Sequence, residues 1–166
     1  MRNVILIGFM GSGKSTIGKI LAQRLEVNWM DMDIEIEKGE GTSIQEIFEL
    51  KGEEYFRQLE TEYLKNLLNK ESSIISTGGG IVLREENRIL LKEIGTVVFL
   101  HTDSTQIIQN LKDDTKRPLL KGDNVEEKIV KLLDERESSY LNAANIIIQT
   151  TGKSIDNVVD EIISLL

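Results

Sequence analysis

A glycine-rich segment near the start of the chain carries the pattern of a nucleotide phosphate site. Residues 8–15 read Gly-Phe-Met-Gly-Ser-Gly-Lys-Ser and match G-x-x-x-x-G-K-[ST] in full. Glycines let such a loop curl so that backbone N–H groups face phosphates, and the following helix adds the positive end of its dipole. We expect Lys14 to reach the β- and γ-phosphates of ATP and the Ser15 hydroxyl to ligate Mg²⁺. The predicted ATP-binding residues here are Gly11, Ser12, Gly13, Lys14, Ser15 and Thr16.

A phosphate loop by itself fits several classes of protein, namely switches, motors, transporters and kinases. The chain contains no Asn-Lys-x-Asp guanine signature, which argues against a GTPase switch. Its 166 residues are too few for most motor or transporter ATPase domains. The size therefore favours a small-molecule kinase.

Two carboxylates follow the second apolar segment of the chain. Asp31 and Asp33 are two residues apart, so an extended backbone would send both to similar faces. At the end of a parallel strand they would point into the ligand crevice, where one could hold Mg²⁺ through water and the other could accept a proton from a substrate hydroxyl. Both residues could equally begin a solvated helix, and their spacing does not decide between the two interpretations.

Three of the seven arginines lie in segments that could hold an anion. Arg57 lies on a predicted helix and offers a planar fork suited to a carboxylate, although a surface pair with a nearby glutamate is the alternative. Arg117 precedes the only proline, in an irregular segment that could close over a transferring phosphoryl group. Arg136 and Tyr140 are four residues apart and so share one face of a helix.

Three consecutive glycines, Gly78, Gly79 and Gly80, follow Thr77 at the end of the third apolar run. Glycines at the end of a strand indicate that a ligand approaches the backbone closely. An unusually tight turn is the alternative.

The elements that must position these residues alternate between short apolar runs and longer helical patterns. Continuous apolar runs are typical of parallel strands covered on both faces, and we predict strands over residues 4–7, 28–30, 73–76, 97–100 and 146–148. Helical spacing of apolar residues predicts helices over 14–25, 44–50, 53–69, 85–92, 104–112, 125–142 and 155–166. This alternation predicts a single doubly wound α/β domain.

Composition excludes several other kinds of protein. The formal net charge of −8 disfavours nonspecific binding to nucleic acid or to anionic membranes. The absence of cysteine excludes a disulfide scaffold, a thiol nucleophile and a thiolate metal site. Because the N-terminal segment does not fit a signal peptide and no run approaches a membrane-spanning length, we expect a cytoplasmic protein.

Taken together, the motifs resemble those of one enzyme family. Six of them occur in one order between about residues 3 and 163: Gly-Phe-Met-Gly-Ser-Gly-Lys-Ser-Thr, Asp-x-Asp, Phe-Arg-x-x-Glu, Thr-Gly-Gly-Gly, Arg-Pro-Leu-Leu and Arg-x-x-x-Tyr. The chain resembles the bacterial shikimate kinases. The resemblance implies the fold of nucleoside monophosphate kinases, a three-layer α/β/α P-loop kinase domain over residues 1–166. It also implies a five-stranded parallel sheet of order 2-3-1-4-5, a substrate-binding segment at about 33–60 and a lid at about 111–123.

The same resemblance implies a reaction, in which ATP phosphorylates the 3-hydroxyl of shikimate to give shikimate 3-phosphate and ADP on the route to chorismate and the aromatic amino acids. Asp33 would orient or deprotonate that hydroxyl. Arg57 and Arg136 would grip the carboxylate, while Gly79 and Gly80 would line the substrate site, with the Gly79 backbone at the ring hydroxyls.

The resemblance also implies contacts to the nucleotide and its metal. Arg117 would close with the lid onto the phosphates, Asp31 would help to hold Mg²⁺ through water, and Lys153 would contact the nucleotide. Shikimate and ATP are then the expected partners, with no nucleic acid and no membrane, and we expect a monomer.

One position departs from the family pattern. Family members often carry a lid arginine that packs on adenine, seven residues before the arginine of Arg-Pro-Leu-Leu, and Asn110 stands there in this chain. Two alternatives remain open beside shikimate kinase. One is a kinase of the same fold that acts on gluconate or a nucleoside monophosphate, and the other is a nucleotide-dependent binding module that has lost catalysis.

Overall fold

A parallel β-sheet forms the centre of the molecule in the computed structural model, which describes residues 2–70, 72–112 and 122–166. Within these ranges the sheet has five strands in the order β2-β3-β1-β4-β5, and every pairing is parallel. The strands are β1 (Asn3–Ile7), β2 (Asn28–Asp31), β3 (Ser73–Ser76), β4 (Gly95–His101) and β5 (Ile146–Gln149). The strand order expected from the sequence is confirmed.

Helices connect consecutive strands and cover both faces of the sheet. In the described part of the chain they are α1 (Lys14–Leu25), α2 (Met32–Glu40), α3 (Ile44–Lys51), α4 (Glu53–Leu67), α5 (Glu85–Ile94), α6 (Ser104–Leu111), α7 (Val125–Ala143) and α8 (Ile155–Leu165), with a 3₁₀ turn at Ile81–Leu83. The predicted helix bounds agree with these within one or two residues, which is the usual uncertainty at helix ends. Among the described residues, no helix is long and apolar enough to cross a bilayer.

The core consists of two apolar layers, because side chains alternate along the buried central strand β1. Ile5 and Ile7 point to the layer formed with α4, α5 and α7, while Val4 and Leu6 point to the layer formed with α1 and α8. All five residues of β1 are buried. The domain is therefore a three-layer α/β/α structure, as the sequence predicted.

The ambiguous acidic pair lies where β2 passes directly into α2. Asp31 ends the strand and caps the helix, since its Oδ1 accepts the N–H groups of Asp33 at 3.0 Å and of Ile34 at 3.3 Å. Asp31 therefore stands at the end of a strand and also begins a helix. The cap fixes Asp33 in the first turn of α2, at the carboxyl edge of the sheet.

A buried polar network holds α4 against the turn that follows β3. Asn87 is fully buried, its Oδ1 accepts the Thr61 hydroxyl at 2.8 Å, and its Nδ2 donates to the Ile81 carbonyl at 2.9 Å. A buried polar group without a partner costs about 1–3 kcal/mol, so the network favours one register of α4 over others. Arg57, one turn before Thr61, is thereby held beside the glycine segment that precedes Ile81.

The two-layer core makes a stability prediction for the layer between the sheet, α1 and α8. Leu21 is fully buried in that layer, so Leu21→Ala should lower the free energy of unfolding by about 2–5 kcal/mol in denaturant titrations. Leu50→Ala removes the same atoms from a side chain that is 80% exposed, and its effect should stay within about 0.5 kcal/mol. Equal losses in the two variants would contradict this description of the core.

Candidate active site

The phosphate loop lies between the end of β1 and the start of α1. Gly11 and Gly13 have φ angles of 79° and 89°, a left-handed conformation that glycine adopts at little cost. Lys14 is 8% exposed, and its Nζ donates to the carbonyl oxygens of Gly8 at 2.8 Å and of Phe9 at 2.9 Å. The loop therefore curls at its glycines, as the sequence pattern predicts, and two of its carbonyl oxygens hold the Lys14 ammonium.

A hydroxyl and a carboxylate meet beside this loop. Ser15 in the first turn of α1 donates from Oγ to Oδ2 of Asp31 at 2.6 Å. Oxygen atoms of this kind suit Mg²⁺, which proteins bind through one or two such groups together with phosphate oxygens. In the described ranges, no cluster of three His, Cys, Asp or Glu side chains could hold a metal. A magnesium ion here would thus take its remaining oxygens from water or from a bound phosphate.

A cavity of about 640 Å³ opens at the carboxyl edge of the sheet, next to the phosphate loop. Four parts of the chain line it: the phosphate loop with the start of α1, the β2–α2 junction, the start of α3, and the segment after β3. Among the residues singled out from the sequence, the lining includes Gly11, Gly13, Lys14, Ser15, Thr16, Asp31, Asp33 and Gly79. The structure therefore brings the predicted phosphate, metal and hydroxyl contacts around one space.

The consecutive glycines stand where charged side chains converge. A Cβ atom placed on Gly78 would lie 2.9 Å from Oδ1 of Asp33 and 3.1 Å from Oε2 of Glu60. A Cβ atom placed on Gly80 would overlap the guanidinium group of Arg57. The lack of side chains at these positions is what lets α2 and α4 bring their charged groups to the backbone here.

The middle glycine brings α7 and the phosphate loop to the same place. A Cβ atom on Gly79 would lie 3.2 Å from the backbone nitrogen of Met10 and 3.6 Å from Nη1 of Arg136. Tyr140 on the same helix donates its hydroxyl proton to the Gly79 carbonyl oxygen. The Arg136 guanidinium also lies over the ring of Phe9, 5.7 Å from its centroid. Arg136 and Tyr140 thus share one face of α7, as their spacing predicts.

Arg57 is buried and held by two carboxylates of its own helix. It is 6% exposed, and it donates from Nη1 to Glu60 at 2.7 Å and from Nη2 to Glu53 at 3.2 Å. Burial works against its charge, but the Glu60 and Glu53 carboxylates outweigh that effect and raise the pKa of the guanidinium. Arg57 therefore stays charged. The alternative interpretation was right that it pairs with nearby glutamates and wrong that it lies on the surface.

Glu60 is a site residue that the sequence reasoning did not single out. It is 1% exposed, and burial raises the pKa of its carboxyl to about 7, with Arg57 opposing this rise and Asp33 adding to it. Its spacing of three residues from Arg57, within Phe-Arg-x-x-Glu, was the signal that could have found it. The group can exchange a proton near neutral pH.

Tyr140 keeps its proton. It is 1% exposed and stacks on Phe99 with ring centroids 4.9 Å apart. Burial raises the pKa of its hydroxyl to about 12, so the group remains a hydrogen-bond donor to the Gly79 backbone.

Two of the buried arginine nitrogens beside the glycine segment have no hydrogen-bond partner among the described residues. In the described part of the chain, Nε of Arg57 and Nη1 of Arg136 are buried and have no hydrogen-bond partner. Buried polar groups are nearly always satisfied, so such donors on two arginines indicate a missing anionic acceptor. A carboxylate suits them best, because its two oxygens can accept charge-assisted bonds from two guanidinium groups.

Several predicted contacts do not line the cavity or cannot be located. Arg57, Gly80 and Arg136 are buried at the glycine segment and are not among the residues that line the cavity. Lys153 does not line the cavity, and its Nζ pairs with Glu161 on α8 at 2.6 Å. Ser12 does not line the cavity either, and its Oγ accepts a bond from Lys14 Nζ at 3.4 Å. Arg117 and most of the predicted lid lie outside the described residues.

Comparison with known proteins agrees with this geometry. The sequence profile of the family described as shikimate kinase matches residues 10–166. The shikimate kinase of Geobacter metallireducens is 47% identical over 166 residues, which cover all of this chain and 92% of that protein.

Solved structures give the same result for the fold. The shikimate kinase of Acinetobacter baumannii in complex with shikimate is 37% identical, with a TM-score of 0.96 over 99% of this chain and 92% of that one. The shikimate kinase of Aquifex aeolicus is 43% identical, with a TM-score of 0.84 over 98% and 94% of the two chains. With its phosphate loop, its paired arginines and this likeness along nearly its whole length, the chain belongs to the shikimate kinase family.

Proposed function

We propose that this chain transfers the γ-phosphoryl group of ATP to the 3-hydroxyl of shikimate, giving shikimate 3-phosphate and ADP on the route to chorismate and the aromatic amino acids. One observation carries the choice of acceptor. Two buried arginines lie against the glycine segment, each with one nitrogen that has no hydrogen-bond partner in the described ranges, and that segment also lies close to Asp33 and the phosphate loop. A carboxylate at the arginines would leave the ring hydroxyls of the same small molecule near Asp33.

In this proposal Arg57 and Arg136 bind the shikimate carboxylate. The open Nε of Arg57 and the open Nη1 of Arg136 are the donors, while Glu60 and Glu53 occupy the other edge of the Arg57 fork. Charge-assisted bonds of this kind are about twice as strong as neutral ones. Gly80 would line the same place, because a Cβ there would overlap the Arg57 guanidinium, and Gly79 would line it between the Met10 backbone at 3.2 Å and Arg136 at 3.6 Å from the position of its Cβ.

Asp33 would act on the acceptor hydroxyl, and Lys14 on the phosphates. A carboxylate in the first turn of α2 can orient the hydroxyl and accept its proton as the bond to phosphorus forms. Phosphoryl transfer depends mainly on positioning and on stabilisation of the transferred negative charge. Lys14 would supply that stabilisation together with backbone N–H groups between Gly11 and Thr16 other than that of Ser12, which donates to the Phe9 carbonyl.

Ser15 and Asp31 fit a magnesium site. Their oxygen atoms are 2.6 Å apart at the edge of the cavity, and both are of the type that Mg²⁺ prefers. Ser15 would ligate the ion directly and Asp31 through water. When bound, the ion would neutralise charge on the phosphate oxygens.

Further parts of the proposal concern the whole chain. Residues 1–166 would act as one domain and as a monomer in the cytoplasm, with a substrate-binding segment at about 33–60 and a lid at about 111–123. Arg117 would close with that lid over the phosphates. Lys153 would contact the nucleotide, for which it would have to leave its ion pair with Glu161.

The experiment that tests the proposal is an assay of ADP release with Mg-ATP, comparing shikimate, gluconate, AMP and no acceptor. We expect turnover with shikimate alone. Turnover with gluconate or AMP instead would overturn the acceptor assignment. If no acceptor gave ADP release although the protein still bound ADP, a noncatalytic nucleotide-binding module would be favoured.

The space at Gly80 makes a prediction about acceptor binding. Its φ of −97° allows alanine, but the added Cβ would displace the Arg57 guanidinium. Gly80→Ala should therefore raise the KM for shikimate roughly 10- to 100-fold, since a hydrogen bond to a charged group contributes about 1.5–3 kcal/mol. The KM for ATP should change little.

Gly39→Ala is the matched control, because a Cβ there meets no atom of the described residues within 4 Å. It should leave both constants unchanged. If Gly80→Ala also bound shikimate normally, the assignment of Arg57 to the shikimate carboxylate would be wrong.

The proton on Glu60 makes a prediction about pH. The carboxyl is mostly protonated below pH about 7 and negative above it, and the negative form competes with an anionic acceptor for Arg57. The KM for shikimate should thus rise between pH 6 and pH 8, roughly three- to tenfold for a coupling of half to one pKa unit.

Glu60→Gln should remove this rise, because glutamine cannot titrate. Glu62→Gln, on the exposed side of the same helix, should keep it. ATP itself titrates in this range, but it does so equally with the unaltered protein and the two variants, so a difference between their pH profiles comes from Glu60. The same pH profile in Glu60→Gln and in the unaltered protein would show that Glu60 is not the responsible group.

A further inference from the structure

The last turn of α6 contacts the phosphate loop through Asn110. The Nδ2 of Asn110 donates to the carbonyl oxygen of Gly11 at 2.8 Å. Gln106, one turn earlier, donates from Nε2 to Oδ1 of Asn110 at 2.9 Å. Because the amide oxygen is occupied by Gln106, the amide nitrogen is the end that faces the loop.

The peptide between Gly11 and Ser12 is therefore held at both of its polar ends. The Ser12 N–H donates to the Phe9 carbonyl at 3.1 Å, and the Gly11 carbonyl accepts from Asn110. Gly11 has a φ of 79° and little intrinsic preference among backbone conformations. Without the bond from Asn110, rotation of this peptide could turn the Gly11 carbonyl toward the phosphate site, where its partial negative charge opposes phosphate.

Apolar packing at the end of α6 places Asn110 next to the phosphate loop. A Cβ atom on Gly11 would lie 2.8 Å from Cγ of the neighbouring Leu111, so helix and loop are in close contact. Leu111 is 7% exposed and belongs to a small apolar cluster whose other buried members are Phe9, Met10, Ile107 and Ile129. Asn110 itself is exposed, but the packing of Leu111 places its backbone beside the loop.

We propose that Asn110 is a positioning residue for nucleotide binding. It holds the Gly11–Ser12 peptide with its carbonyl turned away from the phosphates, so that the N–H groups that follow stay available for them. The inference rests on the ATP site of the proposed function but not on the identity of the acceptor. Gln106 contributes indirectly, by orienting the Asn110 amide.

The test measures the dissociation constant of Mg-ADP by titration calorimetry, together with the KM values of ATP and shikimate. Asn110→Ala should weaken ADP binding and raise the KM of ATP about two- to tenfold, the range for one hydrogen bond. The KM of shikimate should not change. Thermal stability should not fall, because alanine favours a helix more than asparagine does. Gln109→Ala, an exposed neighbour in the same turn, should leave all of these values unchanged.

A double-mutant comparison tests whether Gln106 acts on nucleotide binding through Asn110. Gln106→Ala should weaken ADP binding less than Asn110→Ala, and the double variant should bind no more weakly than Asn110→Ala alone. Additive losses would overturn the role of Gln106. Unchanged ADP affinity in Asn110→Ala, whether or not its melting temperature moves, would overturn the proposal itself. ADP binding remains measurable even if shikimate proves not to be the acceptor, so the two proposals fail separately.

Discussion

The rest of the site depends on the space left free by Gly78, Gly79 and Gly80. Charged side chains from α2, α4 and α7 approach the backbone of this one segment, and a Cβ at any of the three positions would press on a functional group or on the phosphate loop. The segment begins where β3 ends, beside the central strand β1, so it also borders the cavity next to the phosphate loop. The absence of side chains at these glycines is thus what lets the anion site and the phosphate site lie next to each other.

The charged side chains at the glycine segment are buried and only partly neutralise one another. Burying a charge is costly unless it is paired, and Glu60 and Glu53 pair with only one edge of the Arg57 fork. The other edge and one nitrogen of Arg136 remain open. Burial also leaves Glu60 able to hold a proton near neutral pH. Such an arrangement is a poor source of stability, and it is well suited to binding an anion that completes the pairing.

The phosphate loop is pre-formed by contacts within its own motif and by contacts from outside it. Lys14 ties together the carbonyl groups of the loop from within, while Asn110 holds the Gly11 carbonyl from α6. Ser15 reaches Asp31 on the far side of β3, which joins the loop to the start of α2. The nucleotide site and the acceptor site are therefore joined through the start of α2, while α6 contacts the phosphate loop.

The sequence by itself determined the phosphate loop, the approximate bounds of strands and helices, and the α/β class, because these follow from local spacing and from the periodicity of apolar residues. The family resemblance supplied the strand order. Only the tertiary structure decided that Arg57 is buried, that Asp31 both ends a strand and caps a helix, and that Glu60 belongs to the site. The physical reason is that burial, hydrogen-bond partners and pKa values depend on neighbours from distant segments, and local patterns carry no information about those neighbours.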